Sequence, residues 1–294
     1  MGASLGALEI GILLSSALFG VLTAQVYTYH KNFHNERLWI KLVELGHTIC
    51  IFHMIYFYTI THFGDLSTLN VVPSSLGAAV VLHGIIIVFV QGYFTYRIWR
   101  FSERLYIPIF STILIICQAL AIVMLGVELI TTATKGIIQF VDKWGWLTFI
   151  LLVLRSISNI IISGAMVYYL GISKKNAYKK TVVVLDKLIL WSIETGMVIS
   201  IMEFFSLILA SVSHQDRTLS KIYIWIGLLV TFPKVFSITM MANINSRMDL
   251  RKTLASPGRT IPVHANTLNI AMHTEVNLDN DVEVGNETMD RFNK

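Results

Sequence analysis

The chain has 294 residues, 54% of them apolar and only 14% charged, with a net charge of +5. A soluble domain usually carries about 25% charged residues, so this balance excludes an ordinary soluble fold. The positive charge does not signal a nucleic-acid partner, because the lysines and arginines sit in short gaps between apolar runs.

The first apolar run covers residues 5–29. No lysine or arginine precedes it and it is too long for a cleaved signal peptide, so it reads as a retained first span. Further runs follow at 38–60, 76–96, 107–131, 144–170, 188–210 and 222–243. Each is near the ~20 residues that a helix needs to cross a bilayer. The short alternating segments of a membrane barrel are absent. The predicted fold class is therefore an all-α membrane protein, a bundle of seven transmembrane helices over 1–243. Cys50 and Cys117 both fall inside apolar runs. That leaves no disulfide framework outside the membrane and no zinc motif.

Basic residues set the expected orientation. One side carries Lys31, Arg37 and Lys41, then Arg97, Arg100 and Arg104, then Lys174, Lys175, Lys179 and Lys180, then Arg247, Arg251 and Lys252. The other side has a 61–75 loop without Lys or Arg, then Lys135, Lys143, Arg217 and Lys221. This asymmetry predicts the N-terminus outside and the C-terminus in the cytosol. Tyr56, Tyr58, Trp144, Trp146, Tyr223 and Trp225 fit an outer aromatic belt, and Trp39 and Trp99 an inner one. Residues 244–294 read as a polar cytosolic tail, mostly disordered and acidic at its end. Arg247, Arg251 and Lys252 are placed to touch anionic lipid heads. The sequon Asn286-Glu287-Thr288 falls on the cytosolic side, where it would stay unused.

Several stretches resemble a family of seven-pass membrane proteins from mushroom-forming fungi, known only as a domain of unknown function. They are Leu8-Glu9-Ile10-Gly11, Glu44-Leu45-Gly46-His47-Thr48, Gln91-Gly92-Tyr93-Phe94 with Arg97-Ile98, and Ile107-Pro108. To these are added Leu185-Asp186-Lys187-Leu188, Trp191-Ser192-Ile193-Glu194-Thr195-Gly196, and Lys234 with Asn243-Ile244-Asn245-Ser246-Arg247. The resemblance covers all the spans and stops at the tail. It implies the seven-span fold and a fungal source, and it brings no activity and no catalytic residue. In one respect the chain departs from the pattern. Such proteins carry about two more helical turns between the equivalents of Lys41 and Glu44, so the second span here is short at its cytosolic end.

Ionisable residues inside a membrane are costly and mark function or internal pairing. At ~1.5 Å per residue, Lys234 lies about 13 Å from the cytosolic end of its run, Glu194 about 9 Å and Gln91 about 8 Å. Glu44 and His47 share a helix face and reach a similar layer, about 24 and 20 Å from the other end of theirs. The expected partner of Lys234 is Glu194, with Glu44 as the alternative. Arg155, Glu203, His53 and His83 form a second layer nearer the outside, with Arg155 expected on Glu203. Arg155, Asn159 and Ser163 make a stripe that should face the interior. Glu44-x-x-His47 is a weak metal signal, and His53 lies on the opposite face. Pro233 should kink its helix and free a backbone carbonyl.

Four functions are compatible with this layout. A receptor-like sensor fits the seven spans and the basic inner loops, although Asn-Pro-x-x-Tyr is absent and Tyr96-Arg97 is only a faint echo of the common receptor signature. A proton-coupled transporter or channel would use Glu44, His47, Glu194, Gln91 and Lys234; no internal repeat supports it. A retinal protein would use Lys234 for its Schiff base, but the third span offers His83 and Gln91 in place of a carboxylate. An intramembrane metal hydrolase would need converging His and Asp ligands, and the seventh span has no histidine. The sensor reading leads, an enzyme is disfavoured, and no cofactor, catalytic residue or protein partner is implied.

Overall fold

In a bilayer the backbone has no water to bond to, and a helix satisfies every interior N–H and C=O within itself. The apolar runs accordingly fold as helices. The structure, a computed structural model, describes residues 2–32, 39–65, 67–102, 105–131, 136–175, 179–216 and 218–255. Helix α1 is Gly2–Asn32, and α2 is Trp39–Tyr56, ending in a wider π turn at Phe57–Thr61. A short 3-10 turn, Ser67–Asn70, leads into α3, Ser74–Phe101. Then come α4 (Tyr106–Thr131), α5 (Ile137–Lys175) and α6 (Lys179–Asp216). The last span is split into α7, Leu219–Leu229, and α8, Phe232–Ala255.

Seven helical stretches are long and apolar enough to cross a membrane, the seventh being α7 and α8 taken together. The protein is thus membrane-embedded. The helices outrun the apolar runs: α5 starts at Ile137 and α6 at Lys179, because helix bonding continues into the interfacial layer. Helix α8 also runs to Ala255. The first part of the polar stretch after Asn243 is therefore helical, in line with its Arg, Met, Leu, Lys and Ala content. Residues 256–294 lie outside the described residues, as do Arg37, Arg104, Lys135, Arg217 and the sequon. So do the side chains of Lys175, Lys179, Lys180, Arg247, Arg251 and Lys252.

Neighbours in sequence are neighbours in space from α1 to α7, and α7 returns to α1. Helix α3 also touches α5 and α8, and α8 reaches α1, α2 and α6. Two crossings depend on glycine. A Cβ on Gly11 would fall inside the backbone of Gly227, and one on Gly77 would lie 2.8 Å from the Gly126 carbonyl oxygen. Backbones come this close only where side chains are missing.

At the end of the molecule where α1 begins, the α2–α3 connection is pinned down. The Tyr58 hydroxyl donates to the Val71 carbonyl at 2.8 Å, and Tyr223 donates to that of Leu69 at 2.7 Å. The two rings meet edge to face, 5.7 Å apart. The Ser67 hydroxyl, then that of Thr68 and the Ser67 amide, donate to Asp65 and hold its carboxyl down at about 2. Beneath the connection Leu69, Val72, Ile137, Val141 and Ile222 are all buried in one apolar cluster.

Candidate functional site

The chain breaks helix where proline requires it. Pro233 has no N–H for the preceding turn, and proline fits the first turn of a new helix, so α8 begins at Phe232. Thr231 closes α7, its hydroxyl donating to the Leu228 carbonyl at 2.7 Å. The Val230 carbonyl takes a hydrogen bond from Ser15 of α1, at 3.1 Å. Lys234 thus sits in the first turn of α8, the positive end of a helix dipole, where a cation is disfavoured without an anionic partner.

That partner is Glu44. Lys234 Nζ donates to Glu44 Oε2, and both side chains are fully buried. It donates also to the Glu44 carbonyl, at 3.1 Å, and lies 3.4 Å from His47 Nδ1. Two ammonium hydrogens have acceptors on Glu44, and the Nδ1 of His47 supplies a third when the imidazole carries its proton on Nε2. The Ser237 hydroxyl donates to the other carboxylate oxygen of Glu44. Each helix contributes a pair three residues apart, Glu44 with His47 and Lys234 with Ser237, as the helical period demands. The expected Lys234–Glu194 contact is not formed. Glu194 is half-buried, while Ser192, Gly196, Ile199, Glu203 and Ser206 mark the inward face of α6. Glu194 and Glu203 are nine residues apart, about two and a half turns, so they point to opposite sides.

The second ion pair forms as expected. Arg155 Nε donates to Glu203 Oε1 at 3.1 Å, with both residues buried. Asn159 donates to the same oxygen at 2.6 Å, and Gln91 donates to Asn159 at 3.0 Å. Gln91 therefore belongs with Arg155 and not with Lys234, contrary to its estimated depth. His53 leaves this layer altogether: it is exposed and shares a hydrogen bond with Ser75, 3.0 Å away. His83 lies between the layers, its ring 6.4 Å from that of His47. Phe232 joins them further, its ring 4.7 Å from the Arg155 guanidinium and two positions from Lys234. Among the described residues no group of three or more His, Cys, Asp and Glu side chains converges as metal ligands.

A cavity of about 570 Å³ lies among α3, α4, α5, α6 and α7. Its walls are mainly apolar, including Leu76, Ile122, Leu125, Phe140, Trp225 and Ile226. Its polar side chains form two groups, His47, His83, Gln118 and Arg155 in the interior, and Thr148, Ser211, Ser213 and Gln215 nearer the ends of α5 and α6. Lys234 and Glu44 do not line it; His47 touches both the cavity and the ion pair. A second hollow of about 30 Å³, lined by Gln91, Asn159, Ser163, Ser192 and Thr195, lies beyond the Arg155 pair. The volume of the larger cavity and its few convergent polar groups are those of a small-molecule site. No sequence signal marked it. Gln118 was readable as a lone polar residue in the fourth run and was passed over; it is fully buried and donates to Ser158 at 2.7 Å.

Comparison with known proteins adds one finding. Residues 155–249 match a family described as a family of unknown function (DUF6534). A domain of unknown function is found there. The match takes in both Arg155 and Glu203, and also Lys234 and Ser237, but leaves out Glu44, His47, His83 and Gln118. No curated protein and no solved structure matches the chain.

Proposed function

We propose that the protein is a receptor-like membrane sensor whose ligand occupies the cavity among α3 to α7. The observation that carries this reading is the cavity itself, mainly apolar in its walls, with His47, His83, Gln118 and Arg155 converging in its interior. Arg155 contacts Phe232 at the start of α8, and His47 contacts Lys234 two positions on. A ligand that shifts either side chain acts on the break between α7 and α8. Helix α8 then runs to the opposite end of the molecule, where Asn243 accepts from Arg97 of α3 and Asn245 donates to the Gln25 carbonyl of α1 at 3.0 Å. On this reading the break is the element that switches between two arrangements, which coupling between distant sites needs.

A transporter is the second reading. The small hollow beside Gln91, Asn159, Ser192 and Thr195 extends the polar groups toward the basic end. The fully buried Lys234–Glu44 pair weighs against a through-path.

The test uses full-length protein in nanodiscs, with Cys50 and Cys117 replaced by alanine and spin labels on cysteines at Tyr96 and Leu190, both exposed. Small apolar and amphipathic compounds are screened for those that raise the melting temperature and lose that effect in Ala210→Phe, which fills the cavity wall. Saturating such a compound should change the label-to-label distance. An unchanged distance would overturn the sensor reading, and compound flux across proteoliposomes would put transport in its place.

A further inference from the structure

We infer that the ligand is an uncharged, lipid-like amphiphile with a hydroxyl head, taken sideways from the bilayer between α5 and α6. This rests on the cavity being the ligand site, and it names the class of ligand and its route.

The route follows from which sides of the cavity are closed. Toward the end where α1 begins, Ile137, Val141 and Ile222 line it, and all three are buried under Leu69 and Val72. The flank is different. Trp146, Phe149 and Ile150 of α5 line the cavity and are 56%, 42% and 51% exposed. Across from them Ser211 and Gln215 of α6 also line it and are partly exposed. Lower down the same two helices touch, through Arg155 with Glu203 and Lys174 with Asp186. Those pairs set an antiparallel register in which residues 145–150 of α5 stand opposite 210–215 of α6. The helices are joined below and leave a cavity mouth above, at the level of the outer aromatic belt, where the hydrocarbon meets the headgroup layer.

The ligand class follows from what lies inside. Trp146 at the mouth and Arg155 at the polar end are nine residues apart on one helix, about 14 Å. Between them Phe149, Ile150, Leu151 and Leu152 line the cavity, with Thr148 as the polar exception on α5, a mainly apolar stretch that suits a hydrocarbon chain. At the polar end, Arg155 Nη2, His83 Nε2 and Gln118 Oε1 are buried and have no hydrogen-bond partner among the described residues. Such atoms cost free energy until they are paired. The guanidinium can only donate and the amide oxygen can only accept. A hydroxyl does both and serves both. A carboxylate would meet the Gln118 oxygen with another acceptor, and an ammonium would meet the arginine with another donor. Charge points the same way, because Arg155 is balanced by Glu203 and Lys234 by Glu44. A charged head would bring an unbalanced charge into an apolar site.

The experiment uses full-length protein in phosphatidylcholine nanodiscs and four probes of one chain length: dodecanol, its methyl ether, dodecanoate and dodecylamine. Competition is read against a dodecanol carrying bromine on its tail, which quenches the fluorescence of Trp146 and Trp225. Dodecanol should displace it saturably, and dodecanoate and dodecylamine at least tenfold more weakly. The methyl ether cannot donate to Gln118 and should bind about three- to tenfold more weakly than dodecanol, a preference that Gln118→Leu should abolish. A tail-borne diazirine should label residues 145–150 or 210–215. Equal or tighter binding of either charged probe overturns the choice of head. A preference for dodecanol that survives in Gln118→Leu overturns it too. Labelling confined to the lipid face of α4, at Ile113, Ile116 and Leu120, overturns the site and leaves only partition into lipid. If no chain binds saturably while a non-lipid compound still moves the spin labels, this inference falls and the sensor reading stands. If bound dodecanol leaves the labels unmoved, the inference stands and the sensor reading falls.

Discussion

The two buried ion pairs look alike by composition and differ in how completely they are satisfied. Lys234 and Glu44 are both fully buried, and neither has a side-chain nitrogen or oxygen without a partner. Arg155 and Glu203 are nearly as buried, yet Arg155 Nη2 and Glu203 Oε2 have no partner among the described residues. The first pair lies in solid packing between α2 and α8, away from the cavity except through His47. The second borders the cavity. A membrane-buried charge can therefore be a closed joint or one side of a cavity, and neither depth nor residue type tells which. The count of unsatisfied atoms does.

The largest effect should come from breaking the closed joint. Removing one member of a buried pair strands the other and costs about 3–5 kcal/mol. Lys234→Met should lower the melting temperature in detergent accordingly, and adding Glu44→Gln should recover part of the loss. Adding Glu194→Gln instead should recover nothing, because Glu194 faces away from Lys234. Recovery with Glu194→Gln and not with Glu44→Gln would reverse the assignment of the pair.

A smaller loss is expected at the other pair. Arg155→Met leaves Glu203 beside a cavity that water can fill, so the stranded carboxylate is partly rehydrated. The cost should be about 2–3 kcal/mol, read by the same melting experiment. A loss as large as that of Lys234→Met would show the cavity to be dry at that depth.

Ser237→Ala sharpens the first pair. It removes one donor to a buried carboxylate and should cost about 1–2 kcal/mol without breaking the ion pair. Melting curves of the single variant and of Ser237→Ala with Glu44→Gln test it. Equal losses in both backgrounds would show that Ser237 does not act through Glu44.

The smallest effect lies outside the membrane. Hydrogen bonds from Ser67 and Thr68 hold the Asp65 carboxyl at about 2, below the usual carboxylate range. A depressed pKa in the folded state stabilises above the unfolded value, and that contribution fades as pH falls toward 2. Asp65→Asn should flatten this part of the acid unfolding profile while leaving the neutral-pH profile of Lys234→Met unchanged.

Much of the fold was legible in the chain. Apolar runs near bilayer length become helices because nothing else satisfies a backbone in hydrocarbon, and the structure has a helix at each of them. The Arg155–Glu203 contact followed from two charges at equal depth that must both hide from lipid. Period alone places Glu194 opposite Glu203 on α6, so only one of them can face inward, and that reasoning would have sent Lys234 to Glu44.

Other features were decided only in three dimensions. Depth is a one-dimensional coordinate, and it put Gln91 beside Lys234. Rotation about the helix axis puts it on Asn159 instead. The cavity had no signature because a cavity is defined by where side chains fail to meet. Its walls use the same leucines, isoleucines and aromatics as the packed regions. Sequence determined how many segments are long and apolar enough to cross and which charges lie within them, since bilayer thickness acts on each segment alone. The partner of each charge, the burial of Arg97 and the cavity among α3 to α7 depend on the relative rotation and splay of helices, which exist only once the segments pack together.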